Sequence, residues 1–426
     1  MGDSTAATQA FAHAVSTRED PAEAAAELVE QVEQGLGAGG ETDLMLLFAG
    51  SGFTLRLGEL IGPIRQRLRP GVLLGITTRG VLAGAKEHES EHGVAALAAR
   101  LPGVALRPFS WDQMDWPELV DDDGEALRRR LFPEHDTAAG SPPGGEAEPA
   151  DLAGPDACRG VLMFADPFTC PTVRLLPAFE RALPGATIVG GMASAGTRPA
   201  SNRLLLHVEL TDTGCVGVAF AGAVDLRATV SQGCRPIGRP MVITKSKRHV
   251  VQELAGRPAL EALREVALEL DSRDQRLAVE SGLFVGRVVD EYKDRFGPGD
   301  FLIRGIAGVD PQQGFIAVGD PQVRTGQTIQ LHVRDARAAR DDLALLLDAE
   351  RLHGPPAGAV LLTCTGRGRD FFGEAHLDTT LVCDAIDHAP LAGGFTNGEI
   401  GPVAGRTHLH AHAACLLTFR EPAGDR

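Results

Sequence analysis

Lysine is almost missing: of 41 basic residues only four are lysines, Lys86, Lys245, Lys247 and Lys293. With 51 glycines and abundant alanine, this is the composition of a GC-rich bacterial genome. Positive charge is also short, 41 Lys+Arg against 57 Asp+Glu, giving a net charge of −16. Such a surface repels phosphate backbones and anionic lipid, which argues against nucleic acid as a partner. Long apolar runs are absent. Leu44 to Gly50 and Val360 to Cys364 are strand-length, far below the roughly 20 residues of a membrane helix, so membrane insertion is not expected. The chain does not open on a basic patch followed by an apolar core, so no secretory signal is read. The seven cysteines are odd in number and form no CxxC pair, a pattern of reduced thiols in a cytoplasm rather than of a disulfide framework. No GKS or GKT occurs, which excludes a P-loop. Gly191-Met192-Ala193-Ser194-Ala195-Gly196 misses the GxSxG spacing by one residue. No cofactor is implied.

What remains is ordinary globular material: 426 residues, 43% apolar and 23% charged, enough for two or three cores at about 150 residues each. Asp20, Pro21 and Glu23 form a helix start, and Gly35 and Gly37 end the Ala-rich helix that follows. An internal repeat then appears. Leu44–Phe48, Val161–Phe164 and Ala359–Cys364 are continuous apolar runs of buried-strand type. Each is followed by a helical stretch and a second short strand that ends in glycine: Gly71–Gly75 with Thr77-Thr78-Arg79-Gly80, Ala186–Gly191 with Ser194-Ala195-Gly196, and Pro390–Gly394 with Gly398. A strand, a helix and a strand in about 35 residues is a βαβ-sized unit, and three glycine turns let backbone approach a ligand closely. The predicted fold class is α/β, a two-domain mixed-sheet architecture of repeated strand-helix-strand units ending in Gly-rich turns. Its expected limits are a tail over 1–19, an N-terminal domain over 20–225, a C-terminal domain over 226–420 and a tail over 421–426. The polar stretch 133–156, with Ser141-Pro142-Pro143-Gly144-Gly145-Glu146, reads as a disordered insertion.

Many of these pieces resemble the FIST family. Leu46-Leu47-Phe48, Leu74 to Val81, Gly190-Gly191 and Gly217-Val218-Ala219-Phe220 look like the N-terminal FIST domain. Gly233 to Gly238, Val242-Ile243-Thr244, Glu253 to Ala259, Arg304-Gly305-Ile306, Cys364-Thr365-Gly366-Arg367-Gly368, Phe372-Gly373 and Gly393 to Pro402 look like its C-terminal companion. The resemblance implies an intracellular sensory module that binds a small ligand such as an amino acid and acts on a downstream signalling protein. No output domain is visible, so a stand-alone cytoplasmic protein is expected.

The candidate ligand residues follow from the turns. Arg367, just past a buried strand, offers a guanidinium that takes a carboxylate bidentately, and Glu399, past the partner strand, accepts an ammonium. Together they suit a zwitterion; the alternative is an Arg367–Glu399 ion pair tying two loops. Arg79, Gly393, Gly394, Phe395, Asn397 and His410 complete the expected pocket. His88-Glu89-Ser90-Glu91-His92 spells HExxH but needs a helix to hold zinc, and its charged, glycine-bounded surroundings do not supply one. His408, His410 and His412 alternate along a strand, yet same-face neighbours about 7 Å apart rarely converge on one ion, and no metal is expected. Cys364 ends a buried strand as a small hydrophobe more naturally than as a nucleophile. No catalytic residue is assigned and the chain is read as a non-enzyme. A zinc or cysteine hydrolase, and a protein-binding scaffold with no small-molecule pocket, are the competing readings.

Overall fold

The computed structural model describes residues 8–37, 41–121, 123–133, 154–297 and 299–422. It is a mixed α/β protein with several mixed sheets, built from three copies of one unit. The first copy runs β1 (Ala10–Ser16), α1 (Pro21–Leu36), β2 (Leu44–Gly50), α2 (Leu57–Leu68), β3 (Val72–Thr78), the hairpin β4 (Val81–Ala83) and β5 (Lys86–His88), and β6 (Val94–Arg100). The second runs β7 (Val104–Trp111), α3 (Trp116–Asp121), α4 (Glu125–Leu131), β8 (Cys158–Ala165), α5 (Thr172–Ala182), β9 (Thr187–Met192), the hairpin β10 (Leu204–Leu206) and β11 (Glu209–Thr211), and β12 (Cys215–Gly222). The third begins with β13 (Asp225–Gln232) and is then interrupted by an inserted unit: β14 (Cys234–Lys247), β15 (Val250–Leu254), β16 (Arg257–Pro258), α6 (Ala259–Glu269), α7 (Ser272–Ser281), β17 (Leu283–Val288), β18 (Phe301–Asp310), β19 (Phe315–Val318) and β20 (Thr328–Arg334). It resumes with α8 (Ala336–Arg351), β21 (Gly358–Cys364), α9 (Arg369–Phe372), α10 (Leu377–Ala385), β22 (Leu391–Thr396), the hairpin β23 (Glu399–Val403) and β24 (Arg406–His410), and β25 (Ala413–Arg420).

Each copy makes the same four-stranded core, β1-β6-β2-β3, β7-β12-β8-β9 and β13-β25-β21-β22, in which the last two strands are parallel. Each sheet is then extended by a hairpin from another copy. β10–β11 adds to β3, β23–β24 adds to β9, and β4–β5 adds to β22, so the exchange closes in a ring. The inner faces share one core, in which Phe48 meets Phe164 edge-on at 5.5 Å and Phe220 meets Phe419 at 5.6 Å. The outer faces are covered by helices: α1 and α2 on the first sheet, α3 to α5 on the second, α8 and α10 on the third. Burial on both faces is why β2, β8 and β21 read as continuous apolar runs instead of alternating ones.

Local chemistry sets the elements. Asp20 caps α1 by accepting from Ala22 N at 2.9 Å and Glu23 N at 3.1 Å, with Pro21 in the first turn and Gly37 at φ +79° beyond the end. Gly393 lies where parallel β21 passes so closely that a Cβ would sit 1.8 Å from the Leu361 carbonyl oxygen. Residues 10–16, read from sequence as tail, form β1 and pair with the whole of β6. Ala10-Phe11-Ala12-His13-Ala14 carries too little apolar bulk to announce a strand, and its partners, Ala96 to Arg100, lie far along the chain. The expected disordered insertion, 133–156, lies outside the described residues over 134–153. No helix among the described residues is long and apolar enough to cross a membrane.

Candidate functional site

The three glycine turns meet. Ser194, after β9, accepts a hydrogen bond from Arg79 N at 2.9 Å and donates its hydroxyl to the Phe395 carbonyl. Phe395 N donates to Gly80 O at 3.0 Å, Asn397 N to Met192 O at 3.0 Å, and Ser194 N to Thr77 O at 3.2 Å. One turn from each copy is thus tied to the other two at the carboxyl ends of β3, β9 and β22. In open α/β sheets that is where ligands bind.

Arg367 leaves the end of β21 in the Thr365–Gly368 turn, but its side chain folds inward. Nε and Nη2 each donate to Asp378 of α10 at 2.8 Å, Thr363 donates to the same carboxylate at 2.8 Å, and the guanidinium lies 5.2 Å from the Phe372 ring centroid. Both partners are buried, and the pair is bidentate. The expectation that Arg367 presents its guanidinium to a ligand carboxylate is therefore corrected: Asp378 already occupies that fork. Nor is there an Arg367–Glu399 ion pair. Glu399 is fully buried at the start of β23, where Thr396 donates to Oε1 at 2.8 Å and Ala413 N to Oε2 at 3.1 Å. Burial pushes its pKa up to about 8 against the pull of those two donors and of Arg367. At neutral pH it is mostly the uncharged acid, so its expected role as ammonium acceptor is corrected as well. Gly393 and Gly394 sit inside β22, buried, and supply close strand packing without facing a cavity.

Two cavities flank the Thr365–Gly366 segment. The larger, about 520 Å³, lies where the first copy, the third copy and the inserted unit come together. Arg79 and Glu89 enter it from the first copy, Glu280 from α7, Arg334 from the end of β20, and Asp370 and Phe371 from α9, with Phe395 beneath. Arg79 is exposed, and its guanidinium has no partner among the described residues. Arg334 stacks over Phe371, 4.5 Å from the ring centroid, and gives one hydrogen bond to Gly366 O, while its buried Nε has no acceptor. Glu89 accepts from Arg369 N at 3.0 Å through one oxygen. Two cations and three carboxylates thus face one cleft with an aromatic side. The smaller cavity, about 400 Å³, includes Cys364, Asn397, His410 and His412 together with Arg304 of β18.

The sequence motifs that invited other chemistry are disarmed by their surroundings. His88 ends strand β5 and Glu89 to His92 form a turn, so HExxH has no helix, and among the described residues no three His, Cys, Asp or Glu side chains are placed to hold a metal ion. His410 Nε2 lies 3.0 Å from the Gly401 carbonyl and must carry the proton of that hydrogen bond, because a carbonyl only accepts. Burial lowers His408 to about 4, His410 to about 3 and His412 to about 4. Burial raises the Cys364 thiol to about 11, so it is a thiol at neutral pH. Sequence reasoning missed Arg334 and Asp370–Phe371 as cleft residues and Asp378 as the partner of Arg367. An acid inside the apolar Leu377–Ala385 helix was the available signal for the last.

Comparison with known proteins divides the chain in two, at a point inside the inserted unit. The FIST N domain matches residues 5–257 and the FIST C domain residues 259–402. An uncharacterized protein of Mycobacterium tuberculosis (strain H37Rv) is 37% identical over 407 residues, covering 95% of this chain and 98% of that protein. An uncharacterized protein of Mycobacterium bovis is 36% identical over 407 residues, covering 95% and 97%. A crystal structure of cyanuic acid hydrolase from A. caulinodans aligns over 97% of this chain and 99% of that one at 9% identity with a TM-score of 0.35, a likeness too slight to carry an argument.

Proposed function

The chain belongs to the FIST family, whose domains are associated with signal transduction and small-ligand sensing, and from that premise we propose that it is a sensor for a small zwitterion of the amino-acid class. The observation that carries this reading is the 520 Å³ cleft in which Arg79 and Arg334 stand with Glu89, Glu280 and Asp370 around Phe371 and Phe395. A carboxylate takes either guanidinium and an ammonium takes the facing carboxylates, while the phenyl rings accept an apolar side chain. The lining comes from both matched family segments, so a ligand there bears on how they sit together. Helix α7 contributes Leu277, Glu280 and Ser281 to the cleft and has no buried residue, so it is an element free to respond and to pass the change to a protein partner in the cytoplasm.

The role is binding, not catalysis. This is supported by the high thiol pKa of Cys364 and by the turn geometry of His88 to His92. The test is thermal unfolding of the full chain against amino acids, nucleotides and organic acids. A ligand at 100 times its Kd stabilises by about 2.7 kcal/mol, a shift of a few degrees. An amino-acid hit weakened by Arg79→Ala and by Glu89→Gln is the expected result; a hit indifferent to both, or turnover of the hit, overturns the reading.

A further inference from the structure

The smaller cavity has a different electrical character from the charged cleft. Its lining contains no carboxylate, and its one charged side chain is Arg304. That arginine belongs to a group whose charges do not balance. Arg287 Nε lies 2.7 Å from Asp320 Oδ2, and Arg304 Nε approaches the same oxygen at 3.6 Å. The other oxygen, Oδ1, accepts from Gln322 N at 2.9 Å. Asp320 is fully buried and the two guanidiniums are nearly so, with 9% and 12% of their side chains exposed. Two buried cations therefore share one carboxylate, and the second of them borders a cavity. Burial and the neighbouring Arg287 hold Arg304 below its ordinary pKa despite Asp320, the signature of a guanidinium short of counter-charge.

The rest of the wall supplies hydrogen bonds without charge. The Asn397 carboxamide and the Thr365 hydroxyl have no hydrogen-bond partner among the described residues, and both border the cavity. His412 Nδ1 is buried and also has no partner.

We propose that this cavity is an oxyanion site, separate from the zwitterion cleft, that takes a small carboxylate or phosphate with Arg304 as its charge and Asn397 and Thr365 as its hydrogen-bonding groups. A bound anion restores the balance that Asp320 cannot supply to two arginines. Because the Thr365–Gly366 segment walls both cavities, an anion here bears directly on the shape of the cleft beside it.

The experiment is thermal unfolding and calorimetric titration of the full chain with inorganic phosphate and, separately, with acetate, at ionic strength held constant with sodium chloride. Saturable binding of either oxyanion above the chloride control is expected, and which of the two binds more tightly assigns the source as phosphate or carboxylate. Loss of the charge-assisted contact in Arg304→Gln lowers the affinity by about tenfold or more. Asn397→Leu, at an exposed side chain with no hydrogen-bond partner among the described residues, keeps Arg304 and the fold while removing one of the hydrogen-bonding groups; it also weakens binding. Absence of binding by both probes, or binding undiminished in both Arg304→Gln and Asn397→Leu, overturns the proposal, whether or not amino acids bind in the charged cleft.

Discussion

Glu399 is buried at the start of β23, two residues past the cavity-lining Asn397, and the most informative perturbation is Glu399→Gln. The carboxyl is wholly buried, and burial lifts its pKa from 4.5 to about 8. The unfolded chain therefore loses this proton near pH 4.5 and the folded chain near pH 8. Below pH 4.5 both states are protonated and the group costs nothing; between 4.5 and 8 the folded protein holds a proton that the unfolded one has lost, and stability falls as pH rises. At 1.36 kcal/mol per unit the cost is about 1 kcal/mol at pH 5, about 3 at pH 7 and about 4 at pH 8, and it levels off above that. Glutamine fits the same space. Its carbonyl accepts from Ala413 N and its amide donates to Thr396, which passes its own hydroxyl proton to Thr363 O, already 3.4 Å away. Urea denaturation of both proteins from pH 5 to 9 measures the effect. Glu87, raised to about 7 by burial, tilts both curves alike, so the difference between them isolates Glu399. The variant gains on the wild type as pH rises, by about 2 kcal/mol between pH 5 and 7. A difference flat across that range refutes the closed, dry setting assigned to Glu399.

Asp378→Asn leaves the buried Arg367 charge without its fork and costs about 3–5 kcal/mol in denaturant unfolding, whereas Arg367→Met with Asp378→Leu recovers much of that loss. Gly393→Ala places a Cβ against the Leu361 carbonyl of the adjacent parallel strand, so the purified variant melts well below wild type, while Gly305→Ala melts close to it. All seven cysteines are buried thiols, so none takes iodoacetamide at pH 7 in the native protein and all do after denaturation, read by intact mass; rapid alkylation of Cys364 in the native state restores the case for a nucleophile.

The repeat was legible because each copy turns on a strand buried from both sides. Such strands spell unbroken apolar runs, and the glycines that end their partners keep a nearly constant distance from them. The hairpin exchange was not legible. β4–β5 pairs with β22, more than 300 residues away, and nothing local in Val81-Leu82-Ala83 names its partner. The site was legible in outline and wrong in its charges. Arg79 stands in a cleft at a turn the spacing singled out, but a charged residue after a buried strand can point either way, and Arg367 points in. Sequence shows that an arginine and an acid share a neighbourhood only when the fold is known; Asp378, eleven residues on, outcompetes Glu399 because α10 packs directly on β21.

Hydrogen exchange of the full chain with and without a mixture of the twenty amino acids tests the central claim most directly. The account predicts slowed exchange in peptides that carry residues 79–89, 277–281, 334–336 and 365–371, four of the segments that wall the charged cleft. Exchange unchanged in all four segments, or slowed only elsewhere, contradicts it.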